Sequence, residues 1–257
     1  MEKIDNMATK KDLIYGIHPM LEAAKSGQSF DKVFFRKGIS GENISTLKQL
    51  LHQNHVPIQY VPVEKLNRIT GKFHQGVIGL ISPIPFQDIE TILPSLFEEG
   101  KNPFFLILDQ ISDVRNFGAI TRTAEAAGID AIIIPSKGSA SINSDAMKTS
   151  AGALSYIPIC RSNNLNRTCE YLKNSGLQIA AATEKSKEYY YNQKLDGPLA
   201  LIMGSEGEGI SNSLLDYCDL FLTLPMSGKI ASLNVSVAAG ILIYEVIRQR
   251  KNTFKKI

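Results

Sequence analysis

The chain has 257 residues, 44% of them apolar, and 28 Lys and Arg stand against 25 Asp and Glu. That supports a globular protein of one large or two modest domains. No run of eighteen apolar residues occurs, and the opening dozen, MEKIDNMATKKD, mixes both charge signs, so neither a transmembrane helix nor a signal peptide is expected and a cytoplasmic location is.

After the polar opening, Pro19 to Lys25 reads as a short helix with Pro in its first turn and Gly27 just past its end. Val33 to Phe35 follows as a strand. Ile44, Leu47, Leu50 and Leu51 recur at helical spacing, and Ile58 to Val61 and Val77 to Ile81 are β-branched strand candidates. These make a compact α/β module over 1–82. The prolines and the short acidic helix candidate between Ser82 and Asn102 read as a linker over 83–102.

A second domain, 103–257, opens on the continuous apolar strand Phe104 to Leu108. Helix and strand candidates then alternate: Phe117 to Ala127, Ala131 to Ile134, Ile157 to Cys160, Leu165 to Ser175, Gln178 to Ala182, Leu199 to Met203 and Phe221 to Leu224. Such alternation predicts a parallel sheet covered by helices. From Ser232 to Arg250 runs the longest helical pattern, with Val235, Ala238, Ala239, Leu242 and Val246 on one face and Arg248, Arg250 and Lys251 suited to its C-terminal dipole.

Charge divides with the domains. Residues 1–85 hold 11 Lys and Arg against 7 Asp and Glu, while residues 86–257 hold 17 against 18. A basic module beside a near-neutral one suggests that the first meets a polyanion and the second does chemistry. Cys160, Cys169 and Cys218 are odd in number and far apart, which fits neither a disulfide framework nor a zinc motif, so reduced structural thiols are expected.

All four histidines, His18, His52, His55 and His74, precede the second domain, so any acid or base work there proceeds without imidazole. His52 and His55 have no second ligand pair at zinc spacing, and no metal is expected. Gly204 to Gly209 follow a buried strand and precede a helix, the place where α/β sheets bind ligands. Their spacing, G-x-x-G-x-G, is not the dinucleotide fingerprint, and its two carboxylates would repel a pyrophosphate. Gly228 and Lys229 do not make a phosphate loop either, because that motif needs a glycine and a hydroxyl residue where Thr223 and Ile230 stand.

Three segments together resemble the signature motifs of the SpoU-type (TrmH-like) RNA ribose methyltransferases: Asn116-Phe-Gly-Ala-Ile-Thr-Arg122-Thr-Ala, then Gly204-Ser-Glu-Gly-Glu-Gly209, then Leu224-Pro-Met226 with Ala231-Ser-Leu-Asn-Val-Ser-Val237. Ile14-Tyr-Gly-Ile-His18 and His74-Gln-Gly-Val77 resemble the substrate-binding module of the family's ribosomal RNA guanosine branch. Phe117 stands where the family often has Leu, and Val114 and Arg115 precede Asn116 where a Pro is frequent, departures of loop shape.

The resemblance implies an L30e-like α/β substrate-binding domain followed by an α/β-knot (SPOUT, deep trefoil knot) methyltransferase domain, and a homodimer built through the latter. It implies S-adenosylmethionine as cofactor, contacted by Gly204, Leu224, Met226 and Leu233, and a ribose 2′-hydroxyl as acceptor. The acceptor is expected in a guanosine of 23S ribosomal RNA, with transfer RNA the nearest enzymatic rival and a silent ribosome assembly factor the rival outside enzymology. Arg122 would stand nearest the hydroxyl proton and stabilise the developing alkoxide or hold the adjacent phosphate. Asn116 would orient RNA or its neighbours, or cap its helix. Glu206 would hold Arg122 or another motif residue. Ser232 and Asn234, at the start of the last helix, would contact cofactor or ribose, or cap. Arg68, Lys72 and His74, around a glycine turn, would contact phosphates or an extruded base, or stand as a solvated loop. No membrane partner is expected.

Overall fold

In the computed structural model, which describes residues 13–184, 186, 188–230 and 232–254, the chain forms two compact units, Met1–Pro85 with Ile142–Ser144, and Phe86–Ser141 with Asp145–Ile257. The polar opening over 1–12 and Ala231 of the third motif lie outside the described residues.

The first unit runs β1 (Leu13–Tyr15), α1 (Ile17–Lys25), β2 (Phe30–Arg36), α2 (Glu42–Gln53), β3 (Ile58–Val61), α3 (Val63–Ile69) and β4 (Val77–Ile81). Its sheet has the order β1-β4-β2-β3, with β4 antiparallel to both neighbours and β2 parallel to β3. The alternation of side chains along a strand decides its two cores. Val33 and Phe35 face Met20, Leu21, Leu47 and Leu51 of α1 and α2, while Phe34, between them, packs with Val61, Leu66 and Ile78 on the other face. Helix α1 starts two residues before Pro19, which still falls in the first turn, where a missing N–H costs no internal bond. Strand β1 and helix α3, three and seven residues long, are too short to show a period and went unpredicted.

The second unit runs α4 (Ile89–Glu98), β5 (Phe104–Leu108), α5 (Val114–Ala126), β6 (Ala131–Pro135), α6 (Ser144–Thr149), β7 (Ile159–Ser162), α7 (Leu165–Asn174), β8 (Gln178–Ala182), β9 (Leu199–Met203), α8 (Asn212–Leu215), β10 (Leu220–Leu222) and α9 (Val235–Phe254). Six strands in the order β10-β8-β9-β5-β6-β7 form one sheet, parallel throughout as the alternation predicts. Its central strands β5 and β9 are buried at every residue, which is why both read as continuous apolar runs.

The stretch 83–102, expected as a linker, contributes most of its length to this unit. Asp88 caps α4 by accepting from Glu90 N at 3.0 Å, and Ile89, Leu93 and Leu96 join the core that holds Phe105, Ile133 and Ile202. The last helix begins at Val235 and runs to Phe254, so Arg250 does not end it. Its guanidinium instead donates to the carbonyls of Asn102, Pro103 and Gly197 at 2.7–3.1 Å, tying α9 to the starts of β5 and β9. Burial pushes the thiols of Cys160, Cys169 and Cys218 up to about 12, and all three are free. No helix of the described residues is long and apolar enough to cross a membrane.

The chain leaves β5 toward β6 on one side of the sheet and leaves β9 toward β10 on the other. Because β5 and β9 are neighbours in register, Leu108 opposite Met203, the loops that follow them start side by side at a topological switch point, where open α/β sheets form a crevice. As a check on the role of α4, Leu93→Ala is expected to lower unfolding stability by about 2–5 kcal/mol, the cost of a core truncation, where a true linker position would move it by about 0.5 or less. Urea denaturation reads the difference.

Candidate active site

The two switch-point loops are joined at their base by Asp109, buried to 4% exposure directly after β5. Its Oδ2 accepts from Ser211 N at 2.7 Å and from Ser211 Oγ at 2.6 Å. No motif marks this pair in the sequence. The available signal was a carboxylate set immediately after five apolar residues, a place where a charge is kept only if it is bonded.

Above that base, Ser205 and Gly209 exchange backbone bonds at 3.0 and 3.1 Å, closing Gly204 to Gly209 into a narrow loop. Gly204 has to be glycine, since a Cβ there would overlap the Gly209 carbonyl and the Ile210 nitrogen. The closure carries Glu206 to the exposed tip. Glu206 Oε1 accepts from Asn116 Nδ2 at 3.1 Å and from Asn234 Nδ2 at 2.6 Å. Asn234 Nδ2 also donates to Asn116 Oδ1 at 3.0 Å. The three motifs meet in this joint.

Both asparagines stand at helix starts. Asp113 caps α5 and accepts from Asn116 N at 3.0 Å, while Asn234 caps α9, its Oδ1 accepting from Ser236 N at 2.9 Å. The cap dictates the amide orientations. Because Asn234 Oδ1 must accept from the helix, its Nδ2 faces the joint. Asn116 must then present Oδ1 to Asn234 and Nδ2 to Glu206. Glu206 Oε1 also lies 3.5 Å from Val235 N, so the carboxylate sits at the positive end of α9. Two helices 118 residues apart at Asn116 and Asn234 are thereby held to one loop.

Gly118, within the first motif, lets α5 and α6 touch: a Cβ there would overlap the Thr149 side chain and backbone, and Thr149 Oγ1 donates to Val114 O at 3.1 Å. Arg122 lies on the same α5 but outside the joint. It is exposed, and its guanidinium makes no hydrogen bond or ion pair among the described residues. The expectation that Glu206 holds either Arg122 or another motif residue thus resolves to the latter. Ser232 is likewise exposed and without a partner among the described residues, and the cap of α9 is Asn234 alone.

Gly204 is buried and Leu224 half-buried, whereas Met226, Ile230 and Leu233 show 38%, 75% and 38% of their surface. From Leu224 to Ile230 no backbone hydrogen bond ties the chain to another described residue. A loop offering free N–H and C=O groups beside apolar side chains fits a ligand with a flat heteroaromatic base and polar edges, the chemistry of an adenosine moiety.

In the first unit, Arg68 and Lys72 are exposed, but His74 is 8% exposed and both ring nitrogens are engaged. Its Nδ1 accepts from Gly76 N at 2.9 Å, which leaves the proton on Nε2, donated to Asn67 Oδ1 at 2.8 Å. Both ring nitrogens of His74 are thus used within the turn it helps to build.

The profile of the SpoU rRNA Methylase family matches residues 103–244, and that of RNA 2′-O ribose methyltransferase substrate binding matches residues 13–87. The chain belongs to the SpoU rRNA methylase family. A relative in Bacillus subtilis (strain 168), named as a TrmH family tRNA/rRNA methyltransferase, is 35% identical over 95% of this chain and 98% of its own. Among solved structures, an AdoMet-bound rRNA methyltransferase from Sinorhizobium meliloti has TM-score 0.59 at 22% identity, covering 92% of this chain and 86% of that one. The A. aeolicus TrmH/SpoU tRNA modifying enzyme has TM-score 0.55 at 29% identity, covering 64% and 85%. The SpoU methyltransferase thus has the two-domain architecture expected from its motifs, with the second unit carrying the SpoU fold. It is an RNA 2′-O-ribose methyltransferase that uses S-adenosylmethionine.

A donor is required at Asn234 Nδ2. Asn234→Asp would set a second carboxylate against Glu206, where like charges at hydrogen-bond distance repel. The unfolding midpoint of that variant should lie below wild type, and adding Glu206→Gln to it should recover part of the deficit; a deficit that the second change leaves untouched would point elsewhere than to Glu206.

Proposed function

We propose that this SpoU methyltransferase modifies the 2′-hydroxyl of a guanosine in 23S ribosomal RNA. The observation that carries the reading is the Glu206 joint, which binds the starts of α5 and α9 to the glycine loop and so fixes the helix that bears Arg122. The ribosomal assignment is supported by the first domain, since the chain resembles the rRNA enzyme over 92% of its length and the tRNA enzyme over 64%.

S-adenosylmethionine, when bound, supplies an already activated methyl group, and Gly204, Leu224, Met226 and Leu233 are the residues we assign to holding it. The chain's remaining task is to align one hydroxyl and manage one proton. With no histidine in the second domain, and with a guanidinium offering donors and no acceptor, Arg122 is not assigned the role of base. It stabilises charge developing on the 2′-oxygen or holds the adjacent phosphate, while water or a phosphate oxygen takes the proton. Asn116, Glu206 and Asn234 position the helix starts; Ser232, exposed beside them, is assigned to ribose or cofactor.

We assign the active form to a homodimer. Val237, Ile241 and Tyr244 recur at helical spacing on α9 and expose 50%, 37% and 52% of their surface, while Ala239, Leu242, Ile243 and Val246 are buried. An apolar stripe opposite a buried one fits a second copy of the chain. Ile241→Glu should convert dimer to monomer in light scattering.

The deciding experiment incubates the purified protein with tritiated S-adenosylmethionine and unmodified ribosomal or transfer RNA, then maps the methyl by nuclease digestion and mass spectrometry. A 2′-O-methylguanosine in large-subunit RNA is expected. Arg122→Ala should lower turnover by about a hundredfold or more, the range for loss of one stabilising group, and Arg122→Lys should not restore it. Methylation of transfer RNA alone would replace the substrate and keep the mechanism. Binding of RNA with no methyl transfer would support an assembly factor.

A further inference from the structure

The turn between α3 and β4 is tied by hydrogen bonds on both sides of Phe73. Lys72 N donates to Thr70 Oγ1 at 3.3 Å, and the two nitrogens of His74 bond Asn67 and Gly76. Gln75 Oε1 accepts from Ile17 N at 2.9 Å, Val77 N donates to His74 O at 2.9 Å, and Arg36 N donates to Gly76 O at 2.8 Å. Gln75 and Gly76 take positive φ, 51° and 83°, to make this path. On a backbone so pinned, Phe73 shows 84% of its surface. Its exposure is built in by the turn.

The surroundings are cationic. Arg36 lies against the turn, its Nε 3.7 Å from where a Cβ on Gly76 would stand. Arg68 follows Asn67, which His74 draws to the turn. The Lys72 amine rests over the Tyr15 ring at 5.5 Å. Arg36, Lys37, Arg68 and Lys72 are all exposed, and none makes an ion pair among the described residues.

We propose that Phe73 is a stacking platform for one unpaired RNA base, with Arg36, Arg68 and Lys72 holding the phosphates on either side. This rests on the reading of the chain as an RNA-modifying enzyme and adds the element that selects single-stranded target. An aromatic ring projecting from a turn can cover a base face only where that base is unstacked, since in an A-form duplex the faces are closed and the major groove is too narrow to enter. The bonds on either side of Phe73, at Lys72 and His74, limit the backbone freedom that stacking would cost. The unpaired cations make the same surface complementary to a polyanion rather than to an apolar peptide.

The full chain contains no tryptophan, so Phe73→Trp places a single reporter at the platform. Its fluorescence should be quenched on titration with a ribosomal RNA fragment carrying an unpaired loop and unchanged with a fully paired duplex. Phe73→Ala should raise KM for the looped RNA about tenfold, the loss expected of one base stack, with the effect in KM rather than kcat and the unfolding midpoint unmoved. Its salt dependence should keep the wild-type slope, whereas Lys72→Ala should reduce that slope by about one. Equal quenching by duplex and loop, or a Phe73→Ala enzyme with wild-type KM, overturns the platform and leaves the methyltransferase reading standing. A wild-type protein that neither binds nor methylates RNA overturns both.

Discussion

Glu206 Oε1 accepts from Asn116 and Asn234, amides 90 and 28 residues away in the chain, and the arrangement of the switch-point loops depends on that convergence. A carboxylate binding amide donors gives stronger bonds than neutral partners do. Here it also sits where α9 presents its positive end. The neighbouring bond from Asn234 to Asn116 closes the triangle, so each amide is both donor and acceptor and neither can flip without breaking two bonds. Asp109 and Ser211 repeat the device one layer down, with the carboxylate buried and the hydroxyl and N–H of a single residue as donors. Loops of this kind would otherwise be the most mobile part of an α/β sheet; two bonded carboxylates make them part of the scaffold.

What the sequence disclosed follows from which forces are local. Strands β5 and β9, buried on both faces, showed as unbroken apolar runs, and the glycine loop was placed correctly because it follows one of them. Helix α4 was read as a linker because its prolines and acidic residues dominate a short window, while the three side chains that bury it, Ile89, Leu93 and Leu96, find their partners only in tertiary structure. Long-range bonds were the harder case. That Glu206 would find Asn116 and Asn234 and leave Arg122 aside is set by the cap of α9, a geometric constraint that no spacing rule encodes. The place of His74 is hidden for a related reason: an imidazole in a polar turn reads as exposed, yet both nitrogens are bonded within the turn. The adjacent Phe73, apolar and so passed over, is the side chain that the turn displays.

The separation of Arg122 from Glu206 has a chemical consequence. A guanidinium paired with a carboxylate presents little net charge to a substrate, and the pair would have to be broken before phosphate or a developing alkoxide could replace the partner. By satisfying Glu206 with two amides, which carry no charge of their own, the fold keeps the carboxylate for architecture and leaves the Arg122 guanidinium without a partner among the described residues. Alkoxide stabilisation needs a donor whose bond strengthens as charge grows on oxygen. An arginine already bonded to a carboxylate would give up as much as it gained. The same economy runs through the first domain, where His74 is spent on the turn and the cations around Phe73 carry no ion pairs among the described residues. In both domains the groups that shape the loops are bonded to one another, and the cations we assign to RNA make no ion pair among the described residues.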